Sequence, residues 1–342
     1  MAYETTSNVS DAMHVERAAL VALMSCSSCA MTEPNARTEP PAAQASVRIP
    51  IERLKPDAVF EVPGAPDWIA VDDDVWISNE PKNSVSRLDP RTNRVAGVVQ
   101  VGKQPSCGLA AGFGSLWVPN CGESTMSRVD LKSGAVTATF PMTFADSEGG
   151  IAVGAGSVWI VTDKRGFLTR LDPATNTERA TIKLPSGSFA VAFGEDAVFV
   201  TSFEHDLLSR IDPSTNALVK TIPVGPKPRF LAIGEGSVWT LNQGDGSVSR
   251  VDIASNTLVA TIEAHVPGGG GEIAVGEGSV WVTMPKNPIT RIDPKTNRVA
   301  QQFFGPGGDA IRVGHGSVWL SNLHQHNVWR LDPRKIEATR GE

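Results

Sequence analysis

Short apolar runs and polar turns alternate along most of this chain, and the alternation itself repeats at intervals of about 40 residues. In one such unit, Phe230-Leu-Ala-Ile233 is apolar throughout, as suits a strand packed on both faces. Gly234-Glu-Gly-Ser237 forms a tight turn, and Val238-Trp-Thr-Leu241 gives a second strand. Val248-Ser-Arg-Val251 alternates as a half-buried strand does. Asp252-Ile-Ala-Ser-Asn256 then turns the chain, because Asx side chains bond the local backbone, and Thr257-Leu-Val-Ala-Thr-Ile262 reads as an outer strand. Each unit is therefore four antiparallel strands.

Two motifs count the units. Gly-x-Gly-Ser-Val-Trp or a near copy ends at Trp76, Trp117, Trp159, Phe199, Trp239, Trp281 and Trp319. Arg-aliphatic-Asp begins at Arg87, Arg128, Arg170, Arg210, Arg250, Arg291 and Arg330. Four-stranded units of this length in sevenfold repetition predict an all-β, seven-bladed β-propeller over residues 46–342. One large ring per blade fills the wedge between neighbouring sheets. A group present in every blade is structural, since a site needs only one copy. No outer strand follows Asp332, whereas Ala58-Val-Phe-Glu-Val62 carries the outer-strand pattern, so the N-terminal strand is expected to complete the last blade.

Residues 1–45 lie outside this pattern. Met13-His-Val-Glu-Arg17, the apolar Ala18-Ala-Leu-Val-Ala-Leu-Met24 and the small residues after it read as a secretory leader, with Met1 or Met13 as the start. Leu23-Met24-Ser25-Cys26 resembles a lipoprotein box with Cys26 as the lipidated residue, and Thr32 to Gln44 reads as a disordered tether. These features predict a periplasmic or extracellular protein whose one membrane contact is a lipid anchor. The net charge of −6, with no Lys/Arg run, offers nothing to nucleic acid. A monomer is expected.

The repeats supply their own control for locating a site. The turns between first and second and between third and fourth strands are nearly identical from copy to copy, while the loops of the opposite rim diverge. The varied rim, over the central channel, is where a site belongs. One position per blade, just before the innermost strand, holds Asp67, Cys107, Gly149, Phe189, Arg229, Gly271 and Asp309. A second, four residues after the recurrent aromatic, holds Glu80, Cys121, Asp163, Phe203, Gln243, Pro285 and Leu323, with Glu148, Glu272 and His324 beside the two rings. Asp67, Glu80, Glu148, Asp163 and Asp309 are thus candidate acid/base residues, with Asp67 and Glu80 expected to meet in blade one. Arg229, Glu272, His324 and Gln243 are candidate ligand contacts. Such a ring of acids could hold Mg²⁺ or Ca²⁺, or remain a solvated rim. Cys107 and Cys121 occupy the two ring positions of blade two, so a disulfide between them is expected to pin a rim loop beside the channel.

The Trp-bearing repeats resemble those of the streptogramin lyase (virginiamycin B lyase) and YVTN-type propeller families. That resemblance implies elimination at the ester bond of a cyclic depsipeptide, aided by Mg²⁺. It also implies a catalytic His before an innermost strand and a Glu four residues after the recurrent Trp. Glu80 matches the Glu after Trp76, while Asp67 stands at the His position in Pro66-Asp67-Trp68, and none of the seven equivalent positions is His. His324 and His326 could face one way in an extended segment, but two His do not make a zinc site. Three functions follow as expectations. The mouth is expected to bind a small-molecule or peptide-like ligand, with or without a metal. It could instead house a lyase or hydrolase for a small cyclic or ester substrate, or the rim could be a non-catalytic scaffold of the cell envelope.

Overall fold

The computed structural model describes residues 47–145, 148 and 150–339. The leader, Cys26 and Gly149 lie outside the described residues. Seven antiparallel sheets follow one another along the chain. Blade one runs Ala65–Val71, Val75–Glu80, Ser84–Asp89 and Arg94–Gln100 from axis to periphery, and blades two to six repeat that order. In blade seven the outer strand is Ala58–Glu61, paired antiparallel with Asn327–Leu331. Phe60 meets Trp319 at 5.7 Å between ring centroids. Phe60, Val62, Ile69, Ile77, Ala310 and Trp319 share one buried cluster, so blades one and seven close on a common core.

Two features were not expected. Arg48–Pro50 adds a fifth strand to blade six, parallel to Arg298–Phe304, with Ile49 opposite Phe303. The chain after Asp332 forms a short helix, Pro333–Ala338, started by a proline at its first turn and by the Asp332 side chain accepting from the Arg334 N–H. Ile336 of that helix packs with Ile49, Ile51 and Leu54, so both ends of the described chain cover the edge of blade six.

The repeated motifs have one geometry. Trp76, Trp117, Trp159, Trp239, Trp281 and Trp319 are fully buried between blades, as is Phe199 in blade four. Burying each is worth on the order of 2–3 kcal/mol. In five blades the indole N–H donates to the carbonyl of the glycine ending the innermost strand, as Trp159 does to Gly154 at 3.0 Å. A Cβ on that glycine would strike the next blade: at Gly154 it would lie 1.9 Å from Phe193, and at Gly314 2.5 Å from Val71 of blade one. Close approach of neighbouring innermost strands is what requires glycine at these two places.

Each arginine of the second motif lies over the aromatic ring of its own blade, and all but Arg291 reach into the outer turn of the next; Arg291 bonds Gln301 and Glu337 instead. The guanidinium carbon of Arg170 sits 5.0 Å from the Trp159 ring centroid. Arg170 donates to Ser157 Oγ at 2.7 Å, to Pro213 O at 2.5 Å and to Asn216 Oδ1 at 2.8 Å, the last two in the outer turn of blade four. Arg128, Arg210 and Arg250 bridge to the following blade in the same way. Arg330 of blade seven completes the circle on Pro90 O and Asn93 Oδ1 of blade one. In blades one to six the outer strand carries one extra residue opposite this arginine, so the register slips there. Replacing Arg170 by Ala should cost about 2–3 kcal/mol in urea unfolding, from the lost cation–π contact and the stranded carbonyl of Pro213. Arg170→Lys should recover less than half of that, because an ammonium lacks the planar fork; full recovery by Lys would show that charge alone matters.

Candidate functional site

The varied rim carries a small cavity over the channel mouth, about 30 Å³ in volume, lined among others by Asp67, Trp68, Glu148, Phe230, Glu272 and Asp309. Larger hollows exist between outer strands of neighbouring blades, one of about 760 Å³ near Arg48 and His265, but they hold no comparable set of carboxylates. The innermost strands converge at the mouth, so side chains at their first residues are brought together from blades far apart in sequence.

Asp67, in the innermost strand of blade one, hydrogen-bonds through its side chain to Asp309, which precedes the innermost strand of blade seven. Two carboxyls bond to each other only by keeping a proton between them. Burial pushes Asp67 well above the ordinary carboxylate range, reinforced by the charge and hydrogen bond of Asp309 and then by the charges of Glu80 and Glu148. Burial also pushes Asp309 up to about 6, helped by Glu148 and Glu80 and opposed by the hydrogen bond from Asp67. The two carboxyls therefore titrate as a pair, at pH values above the ordinary carboxylate range.

Asp309 is a partner of Asp67 that the sequence did not single out. Glu80 stands opposite Ala65 in the strand register, which slips between Pro66 and Ile69. Its charge also reaches Asp67 and helps to raise that carboxyl. Its Oε1 is buried without a hydrogen-bond partner.

Two arginines neutralise part of this acidity. Arg229, in the innermost strand of blade five, donates to Glu148 Oε2 at 2.5 Å, and its guanidinium lies 4.5 Å from the Phe189 centroid and 5.6 Å from that of Phe230. Its Nε is buried and unpartnered. Arg312 pairs with Glu272, which also accepts from the Ile311 N–H at 3.1 Å. Burial nevertheless leaves the Glu272 carboxyl above its ordinary range, the Arg312 charge offsetting only part of the effect. Trp68, Phe189 and Phe230 form an apolar wall, each adjacent pair 5.8 Å apart and edge to face. Gln243 closes one side by donating to Gly270 O at 2.8 Å.

The remaining expected residues are elsewhere. Asp163 forms an ion pair with Arg165 at 2.5 Å, and the hydrogen bonds from Arg165 lower its carboxyl to about 2. It borders a different hollow, beside Phe167. His324 is exposed in a 3-10 turn, Leu323–Gln325, rather than in an extended segment. His326 leaves that turn at φ 58 and bonds through Nδ1 to Gly64 O at 2.8 Å, so the two imidazoles do not act together. Cys107 and Cys121 form a disulfide with their Cα atoms 6.0 Å apart. Among the described residues no three His, Cys, Asp or Glu side chains are grouped closely enough to hold a metal ion.

Sequence reasoning passed over Trp68, Phe230 and Arg312. Trp68 carried a signal: it is one of only two tryptophans, with Trp329, that fall outside the repeated aromatic position.

The class this arrangement defines is a seven-bladed β-propeller with its polar site at the channel mouth. Among solved structures the fold is similar to a streptogramin B lyase, with TM-score 0.66 and 20% identity over 80% of this chain and 96% of that one. It is similar also to virginiamycin B lyase from Staphylococcus aureus, with TM-score 0.64 and 16% identity over 80% and 98%. BamB from Moraxella catarrhalis follows the same architecture, with TM-score 0.57 and 14% identity over 77% and 84%. The expected likeness to streptogramin lyases therefore holds in the fold. No protein-family model matches the sequence, and no curated protein matches it.

The carboxyl pair makes a test of stability. Because the folded Asp309 carboxyl is raised from 3.8 to about 6, its contribution is complete below about pH 4 and is lost as pH rises through 6. Asp309→Asn should therefore stabilise the protein by on the order of 2–3 kcal/mol at pH 7.5, with the gain vanishing near pH 4. Urea unfolding across that range checks it; a gain independent of pH would mean the pair is not strained by charge.

Proposed function

We propose that this protein binds a small ligand at the mouth of its central channel, using the Asp67–Asp309 carboxyl pair as the anchoring group. The observation that carries the reading is that pair itself: two carboxyls from the first and last blades brought together beside an aromatic wall. A pair with one proton offers a donor and an acceptor side by side, suited to a ligand with hydroxyl or amine groups on an apolar body. The Arg229–Glu148 ion pair and Glu272 supply further polar contacts at the cavity edge.

A second reading has its own support. A carboxyl near 6 beside one raised further can take a proton and deliver another near neutral pH, as a lyase or hydrolase of the streptogramin-lyase type requires. In that case Asp309 is the base and Asp67 the acid. The Cys107–Cys121 disulfide supports an exported location, since such bonds persist in oxidising compartments.

Isothermal titration with hydroxylated and amine-bearing aromatic compounds and with a cyclic depsipeptide separates these readings, with mass spectrometry of the products. Binding that Asp67→Asn or Asp309→Asn weakens at least about tenfold is expected. Ring opening of the depsipeptide, lost in the same variants, would establish the catalytic reading. Binding left unchanged by both substitutions would overturn the site.

A further inference from the structure

Blade two has the shortest innermost strand of the seven. It is Ala110–Gly112, against four or five residues in blades three, six and seven and seven in blades one, four and five. Pro105 to Leu109 are buried without forming a ladder with the second strand. In blade five the equivalent residue Pro228 pairs with Asn242, and in blade one Pro66 pairs with Asn79. Here the covalent bond from Cys107 to Cys121 takes the place of that pairing, with Cys121 N donating to Gln104 O at 3.0 Å and Gly122 N to Lys103 O at 3.1 Å.

A segment outside the ladder has carbonyls to spare. Ser106 O accepts from the indole Nε1 of Trp68 at 2.6 Å, across the boundary between blades two and one. The backbone N–H of Trp68 is taken by Ser78 Oγ at 2.9 Å, and its ring meets Phe230 at 5.8 Å. Trp68 follows Asp67 directly and is 6% exposed in the mouth.

We propose that the Cys107–Cys121 disulfide is a positioning device for the mouth: it fixes the Ser106 carbonyl, which fixes the Trp68 ring, which holds Asp67 against Asp309. Trp68 is then a positioning residue whose indole N–H matters as much as its bulk. Opening the disulfide loosens the aromatic wall and the carboxyl pair while the blades stay folded, so the redox state of blade two governs the geometry of the site. The proposal rests on the mouth being the binding site, but its tests use no ligand, so the two ideas fail separately.

The first test is reciprocal. A dithiol reductant delivers two electrons and two protons, breaks the S–S bond to leave thiols at Cys107 and Cys121, and becomes a disulfide itself. If Trp68 helps to hold the loop, Trp68→Phe should speed this reduction by about fivefold, the loss of one hydrogen bond, in alkylation mass spectrometry. Equal rates in the two proteins would overturn the link. The second test follows the indole. Reduction of the wild-type protein should raise acrylamide quenching of the Trp68 emission, obtained by difference from Trp68→Phe, by about twofold or more, and should lower the pH midpoint of the Asp67–Asp309 pair. The Cys107→Ser/Cys121→Ser variant should reproduce both changes without reductant. Unchanged quenching after verified reduction would overturn the proposal. Loss of the strand circular dichroism on reduction would overturn it too, because the disulfide would then be holding the fold and not the wall.

Discussion

An arginine lying over a tryptophan ring, its guanidinium reaching the outer turn of the next sheet, is the contact on which this ring of sheets depends. The aromatic ring excludes water from the wedge between blades, which strengthens the hydrogen bonds of the guanidinium against it. Those bonds go to a carbonyl and to an asparagine side chain that a neighbouring sheet would otherwise leave unsatisfied. Each blade is thus incomplete alone. Blade one varies the theme: Asp74 replaces the serine and takes the Arg87 guanidinium at 2.5 Å, keeping the function with a charge.

Committing one rim to this contact leaves the other free. The same innermost strands that touch through glycine near the structural rim splay their first residues around the channel at the opposite end. Side chains of blades one, three, five, six and seven meet there, outside the repeated contact of arginine and aromatic ring. That freedom permits a carboxyl pair which folding alone would disfavour, and the many contacts of the opposite rim can bear its cost.

The fold was legible because its signals are redundant. Seven copies of Trp and Arg at matching intervals outweigh any single ambiguous strand, and the recurrence of the arginine marked it as structural. The site was legible only as a set of positions. That Asp309 comes to Asp67 depends on the curvature that carries blade seven alongside blade one, which leaves no mark in the sequence. Asp163 failed for a local reason: Arg165, two residues on, captures it. Trp68 was hidden among tryptophans whose role was already explained, although its position, next to Asp67 and off the repeat, set it apart.

Closure of blade seven has a consequence in time. Ala58–Glu61 is among the first strands to be synthesised, yet its partner Asn327–Leu331 is among the last. Arg330 must likewise leave the ribosome before it can grip Pro90 and Asn93. Until then the growing chain is an open arc whose first strand has no mate and whose end faces expose apolar surface. The slowest loop to close is the one that spans nearly the whole propeller, so circularity arrives as the final event of folding, and the Asp67–Asp309 pair, which straddles that seam, cannot exist before it.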